Sequence, residues 1–222
     1  NKIGYINLCK LISLGFKEGF YYNSRVDREL LERYSEGLIC SSACLAGEIP
    51  YYIWNDNMEK AEAALQWYKK VFKDDFYLEL MSHGLEKQRK VNDTLRILSK
   101  KYDVKLIVTN DVHYIRQEDR TAHDILICIN TNSDYDDEKR LRYSGEEYFK
   151  TYNEMLELFP EDAEALANTL EIADKVEEYS ILKDNVIVPV FDIPEGYEDE
   201  NAYLRKLTYD GAERKYGEIT DD

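Results

Sequence analysis

The stretch FYLELMSHGLEKQRKVNDTLRILSKKYDVKLIVTNDVHYI, residues 76–115, decides the fold. Its opening run, 76–81, reads as a strand. Residues 86–101 put Val91, Leu95 and Leu98 on one face at helical spacing. Residues 105–109, KLIVT, return to a strand. Strand, helix and strand joined by short connections make a parallel βα unit. In such folds the chemistry sits at the carboxyl ends of the strands. The second of these strands ends in Thr-Asn-Asp111-Val-His113.

The pattern extends in both directions. Upstream, 59–73 is an amphipathic helix with Ala61, Ala64, Leu65, Tyr68, Val71 and Phe72 on its apolar side. LICSSACL, 38–45, is rich in small and apolar residues and reads as a buried strand. RELLERYSEG predicts a short helix ending at Gly37, and GYINLCKLISLGF a helix that clusters Ile6, Leu8, Cys9, Leu11 and Ile12 and stops at Gly15. Downstream, 118–130 predicts a helix with Ala122, Ile125, Leu126 and Ile129 facing inward. From about residue 131 the chain turns polar. Thr151 to Glu154 is a capping box that starts a helix, 161–180 continues the helical pattern, and 186–200 reads as a strand-like linker. A final helix closes at Gly217. The expected division is 1–130, 131–183 and 184–222.

Three strand ends therefore carry the candidate chemistry. After 38–43 come Cys44 and then Glu48; the second strand holds Glu79 and is followed by His83; the third is followed by Asp111 and His113. Residues two apart in extended backbone point the same way, so Asp111 and His113 can converge on one ion. A carboxylate with an imidazole suits Zn, Mn or Fe, and a nearby thiolate favours the softer end of that range. Each residue also has a structural reading. Cys44 is a small residue that packs well in a core. Asp111 can cap a turn. His113 and His83 can serve as hydrogen-bonded structural histidines, and His123 sits mid-helix. Glu79 can face inward or outward, and Glu48 can open the turn at Pro50.

Composition narrows the function. With 29 basic and 45 acidic residues, the net charge of −16 argues against a DNA-binding surface of the usual basic kind, without forbidding a local basic patch. No apolar run approaches the length of about 18 residues that a membrane span needs. No signal peptide is visible. Cys9, Cys40, Cys44 and Cys128 show no tight pairing pattern, as expected of reduced thiols in a cytoplasmic protein. The chain opens on Asn1 rather than Met, within a helical pattern, and reads as a piece of a longer product.

Several segments together resemble the PHP (polymerase and histidinol phosphatase) domain of the bacterial replicative DNA polymerase III alpha subunits. They are residues 4–50, with SACLAGEI, and the segments 77–92, 107–129, with TNDVHY, and 148–175. The tail 201–217 is similar to the region leading into the polymerase palm. The resemblance implies an α/β fold: part of a distorted (β/α)7 barrel with parallel strands, followed by a C-terminal helical segment toward the palm. It implies that Cys44, Asp111 and His113 are metal ligands, with His83 and Glu79 weaker candidates. The implied cofactor is a divalent metal, zinc or manganese, at the PHP site, with magnesium in the palm outside this chain. The family's His-x-His pair and other early ligands lie upstream of the matching region, and only three histidines occur here. The site is thus expected to be incomplete in this chain, and the chain inactive alone.

The implied parent is a DNA-directed DNA polymerase of chromosomal replication, a nucleotidyltransferase. Its PHP region would be a metal-dependent phosphoesterase of the 3′–5′ exonuclease type. Two alternatives stand: a non-catalytic scaffold or interaction module within the polymerase, to which 19 tyrosines are suited, and a stand-alone PHP-family metal phosphoesterase. Implied partners are DNA, dNTPs and other replicase subunits, with no membrane. A partial barrel leaves a strand edge bare, so that edge is expected to pair with another copy or to be covered by the C-terminal helices.

Overall fold

The structure is a computed structural model and describes residues 1–182 and 188–218. In chain order the elements are α1 (Lys2–Lys17), α2 (Arg28–Arg33), β1 (Cys40–Ser41), α3 (Glu48–Trp54), α4 (Met58–Phe72), β2 (Phe76–Leu80), α5 (Glu86–Tyr102), β3 (Leu106–Val108), α6 (Arg120–Thr131), α7 (Tyr152–Leu158), α8 (Ala163–Lys175) and α9 (Glu200–Tyr216). The chain forms two compact units, Asn1–Tyr179 and Ser180–Asp222.

The first unit is built on a three-stranded sheet in the order β1-β2-β3. Both pairings are parallel. Cys40 lies beside Phe76, and Leu78, Glu79 and Leu80 lie beside Leu106, Ile107 and Val108. The class is α/β, and the sheet is open. Period-two alternation along β2 sends Phe76, Leu78 and Leu80 to one face, where they meet Ile53, Ala64 and Leu65 of α3 and α4 and Val91, Leu95 and Leu98 of α5. Each fully buried leucine in this core contributes on the order of 1.5–3 kcal/mol. The opposite face carries Ser41, Tyr77, Glu79, Ile107 and Thr109 and is markedly more polar.

Helix α8 packs along β3, where the Asn168 side chain donates to the Leu106 carbonyl at 2.8 Å. A further tie runs across the sheet: Glu171 accepts from the Tyr77 hydroxyl at 2.8 Å and from Lys105 at 2.5 Å. The Lys105 ammonium, together with the Tyr77 hydroxyl, holds the Glu171 carboxyl down to about 2. Thr151 caps α7 in a reciprocal box with Glu154, as its sequence predicts.

Four expectations are corrected. The strand expected over 38–45 is only Cys40–Ser41, because Ala43 adopts φ +58° and turns the backbone out of the sheet. Glu48, which could open a turn at Pro50, instead begins α3, Glu48–Trp54. The proline sits in the first turn, where a missing N–H costs nothing. The first helix continues through Gly15 to Lys17 and buries Gly4, Asn7, Leu11 and Gly15. Of its expected apolar cluster only Leu11 is buried, while Ile6, Leu8, Cys9 and Ile12 are exposed. The glycines explain this choice of face: a Cβ on Gly4 would lie 1.9 Å from the Gly37 carbonyl oxygen, so only a bare backbone can approach so closely. Asn7 adds a bond to the Glu36 carbonyl at 3.0 Å. Helix α6 likewise buries Ile127 and Cys128, leaving Ala122, Ile125, Leu126 and Ile129 outward. Its inward face is set by Asp124, which pairs with Arg140 through two bonds of 2.5 and 2.6 Å.

In the second unit, α9 is capped at its start by Asp199 and ends at Gly217, whose φ of +84° suits a residue without a Cβ. The expected strand-like linker 186–200 falls partly outside the described residues; its described part, 188–199, forms no strand.

Candidate metal centre at the strand ends

The polar face of the sheet positions the site. Glu79 projects from the middle of β2 and is clamped from both neighbouring strands. The Ser41 hydroxyl donates to one carboxylate oxygen and the Thr109 hydroxyl to the other, each at 2.5 Å. The Ser42 hydroxyl accepts from the Glu79 amide at 2.9 Å. Glu79 therefore ties three strands together, each of its oxygens accepting one hydrogen bond.

His83 follows β2 and is buried. Its surroundings fix its tautomer by elimination. The His83 backbone N–H donates to Gln88 Oε1 at 2.7 Å, which turns the Gln88 NH2 toward His83 Nδ1 at 2.8 Å. Nδ1 must then accept, so the proton sits on Nε2 and is donated to Asn110 Oδ1 at 3.1 Å. The amide of Asn110 in turn donates to the Tyr148 carbonyl at 2.6 Å. An obligate donor at one end and an obligate acceptor at the other orient every group between. Both ring nitrogens are thus engaged, and His83 holds the loop after β2 to the loop after β3.

That second loop carries Asp111 and His113. His113 Nε2 lies 3.3 Å from Asp111 Oδ1, and both side chains reach solvent. Residues 144–149 run beside them: the His113 amide donates to the Glu147 carbonyl at 2.8 Å, and the Phe149 amide to the Tyr114 carbonyl at 3.0 Å. The Glu147 side chain turns inward and accepts from the Ser144 hydroxyl at 2.7 Å and the Gly145 amide at 2.9 Å. Burial alone would raise the Glu147 carboxyl, but these donors outweigh it and hold it below the usual range. The imidazole of His113 faces Tyr143 and His123, with ring centroids 4.5 and 5.5 Å away.

The remaining candidates lie apart from this pair. Cys44 is exposed in the turn that follows Ala43, with its carbonyl accepting from the Gly47 amide at 2.8 Å. Glu48 turns away to Arg28 at 2.6 Å. Burial pushes the Cys40 thiol up to about 11, which keeps it protonated and unsuited to a metal. Among the described residues no three His, Cys, Asp or Glu side chains gather into a metal-binding group. A catalytic zinc ordinarily takes three protein ligands. Asp111 and His113 supply two converging donors, so among the described residues the donors fit part of a metal site. The sequence reading passed over Tyr114, Arg120, Arg142 and Tyr143, which surround His113 and His123. Only the local arginine content of 116–142, against the acidic background, pointed to them.

An α/β sheet with candidate ligands at the ends of parallel strands defines the class, and comparison with known proteins gives the family. The PHP domain family model matches residues 1–83, ending at His83 and short of the Asp111/His113 loop. The DNA polymerase III subunit alpha of Borreliella burgdorferi is 44% identical over 221 residues, covering 99% of this chain and 19% of that protein. The corresponding subunit of Thermus aquaticus is 40% identical over 219 residues, covering 96% and 18%, and that of Treponema pallidum 38% over 224 residues, covering 100% and 19%. The chain spans about a fifth of the length of these curated relatives. Over nearly its whole length the chain is similar to the PHP-domain region of the DNA polymerase III alpha subunits. No described helix is long and apolar enough to cross a membrane.

Proposed function

We propose that this chain is the PHP portion of a replicative DNA polymerase and contributes Cys44, Asp111 and His113 to a divalent-metal centre acting on phosphoesters. Its strands would belong to a PHP-type barrel. The observation that carries the reading is the Asp111–His113 pair, 3.3 Å apart and open to solvent at the carboxyl end of a parallel strand. A bound zinc or manganese ion would polarise a phosphoryl oxygen and supply charge stabilisation. The chain's own residues fix the ligand loop in place: Asn110 anchors it to Tyr148 and His83, and Glu147 holds the backbone of His113. The DNA polymerase activity, with its DNA and dNTP substrates, magnesium and replicase partners, belongs to the longer protein in this reading.

The test is elemental analysis with zinc and manganese titration, on this chain beside a polypeptide extended upstream through the family's His-x-His motif. Stoichiometric metal is expected only in the extended chain, and Asp111→Asn or His113→Ala should weaken it more than about tenfold. An extended chain that holds no metal, or one indifferent to both substitutions, would overturn the reading. A second reading, a non-catalytic interaction module, is favoured by the exposed side chains of Ile3, Ile6, Leu8, Ile12 and Phe16 on α1. Metal-free protein with unimpaired polymerase activity would select it.

A further inference from the structure

The turn that joins α1 to α2 carries its aromatic side chains outward. Phe16, Phe20, Tyr21 and Tyr22 fall within seven residues, and each keeps at least 59% of its surface exposed, Tyr22 as much as 80%. An aromatic ring buries about 150–250 Å² when it packs, and exposed apolar patches beyond a few hundred Å² mark interaction sites. Backbone contacts, not these rings, hold the turn in place. The Arg25 carbonyl oxygen is pressed onto the end of α1, where a Cβ on Gly19 would fall 2.1 Å from it and one on Gly15 3.2 Å. The Tyr21 amide donates to the Asn23 carbonyl at 3.0 Å. Tyr22 adopts φ +61°, a left-handed conformation that glycine or asparagine takes at lower cost. Packing does not explain a bulky residue kept there with its ring in solvent.

Charge around the turn opposes that of the chain. Residues 1–26 hold Lys2, Lys10, Lys17 and Arg25 against one acidic residue, Glu18, whereas the whole chain carries −16. The Arg25 guanidinium lies over the Tyr21 ring, 4.9 Å from its centroid, and among the described residues its N–H groups and the Lys17 ammonium enter no hydrogen bond or ion pair. Asp27, the next carboxylate along the chain, is spent on the Leu30 amide at 2.9 Å. The acidic remainder acts weakly here, because exposed charges more than about 8–10 Å apart are screened at physiological salt.

We propose that residues 16–25 form a stacking platform for single-stranded nucleic acid, on which bases lie against Phe20, Tyr21 and Tyr22 while Lys17 and Arg25 meet the phosphates. Aromatic rings flanked by free cations suit a strand whose base faces are open, and a duplex hides those faces. The aliphatic side chains further along α1 suit a protein partner; in the turn, rings and unspent cations coincide instead. The platform uses none of Cys44, Asp111 or His113, so it stands apart from the metal centre proposed above.

The test is fluorescence anisotropy of a labelled oligothymidylate of about 20 nucleotides, longer than a typical site of about 4–16, titrated with the chain in EDTA so that no metal centre contributes. Saturable binding is expected, with log affinity falling against log salt at a slope of about 1.4, as two phosphate contacts at about 0.7 each require. Phe20→Ala and Tyr22→Gly should each weaken it about fivefold or more, the loss of one base stack. Tyr22→Gly should do so with the urea midpoint unchanged or raised, since glycine takes the same φ without strain. Arg25→Gln should weaken binding about threefold and lower the slope by about 0.7. An abasic strand of equal length keeps the phosphates and should bind at least about tenfold more weakly. Tyr152→Ala removes an exposed ring from α7 and should change nothing. Equal affinity for the abasic strand, absence of saturable binding, or an equal loss in Tyr152→Ala overturns the platform. So does a sedimentation coefficient that falls in Phe20→Ala with oligothymidylate binding intact, which would make the turn a contact between copies of this chain.

Discussion

Replacing His83 with alanine tests whether that residue is a strut or a ligand. The imidazole is 7% exposed and serves two side chains, Gln88 at Nδ1 and Asn110 at Nε2. Alanine would strand the Gln88 amide, itself buried, and leave Asn110 Oδ1 half-satisfied beside a ring-sized void. An unpaired buried amide costs about 1–3 kcal/mol, and the lost packing adds on the order of 1–2 kcal/mol. Water can reach Asn110 in part, which trims the sum to about 2–4 kcal/mol. Equilibrium urea denaturation reads this directly. A double-mutant cycle with Asn110→Ala should show coupling of about 1 kcal/mol, because the two side chains share one bond. A loss below about 0.5 kcal/mol with no coupling would refute the strut assignment. A loss of metal affinity at unchanged stability would instead make His83 a ligand.

Two further outcomes follow from the same contacts. Glu147 has a depressed folded carboxyl, so its stabilisation is fully present above the ordinary value of 4.5 and is lost as pH falls through the lower folded value. Denaturation midpoints followed from neutral pH into that range should fall more steeply in the native chain than in Glu147→Gln; parallel curves would contradict it. Asp162, nearly buried, takes a bidentate bond from Arg96 at 2.7 and 3.0 Å, joining α5 to the start of α8. Asp162→Ala removes these bonds and leaves the guanidinium only its exposed partner Asp93 at 2.7 Å, and should cost about 1.5–3 kcal/mol by urea denaturation, whereas an exposed pair would cost under about 1 kcal/mol.

The βα unit at 76–109 was legible because its signals are local. Period-two and period-3.6 patterns, a capping box and a terminal glycine each act within a few residues, and β2, α5, β3, α7 and α9 follow them closely. Where the reading failed, the deciding partner lay far along the chain. Helix α1 carries more apolar side chains on its outer face than on its inner one, and hydrophobic patterning alone would bury the wrong side. The inner side is chosen by Gly4 against Gly37 and Asn7 against Glu36, contacts some thirty residues apart. Helix α6 repeats the lesson: the Asp124–Arg140 pair outranks four apolar residues in deciding what faces inward. A buried, doubly hydrogen-bonded ion pair must be satisfied if it is buried at all, whereas an exposed isoleucine costs only its transfer free energy.

The site divides along the same line. The convergence of Asp111 and His113, 3.3 Å apart, is legible because two residues apart at a strand end is a local geometry. Cys44, expected on a strand, lies in the turn that Ala43 begins, and Glu79 and His83, the weaker ligand candidates, have hydrogen-bond partners on other strands and loops that no local pattern reveals. A carboxylate held by two hydroxyls and an imidazole engaged at both nitrogens are positioned without an ion. That arrangement suits the metal centre proposed above. Ligands bind well only when their loops are already fixed, and Glu79, His83 and Asn110 fix the two loops from the sheet outward. The polar face thus acts as the support from which the Asp111/His113 pair projects, with its rigidity independent of whether a metal is bound.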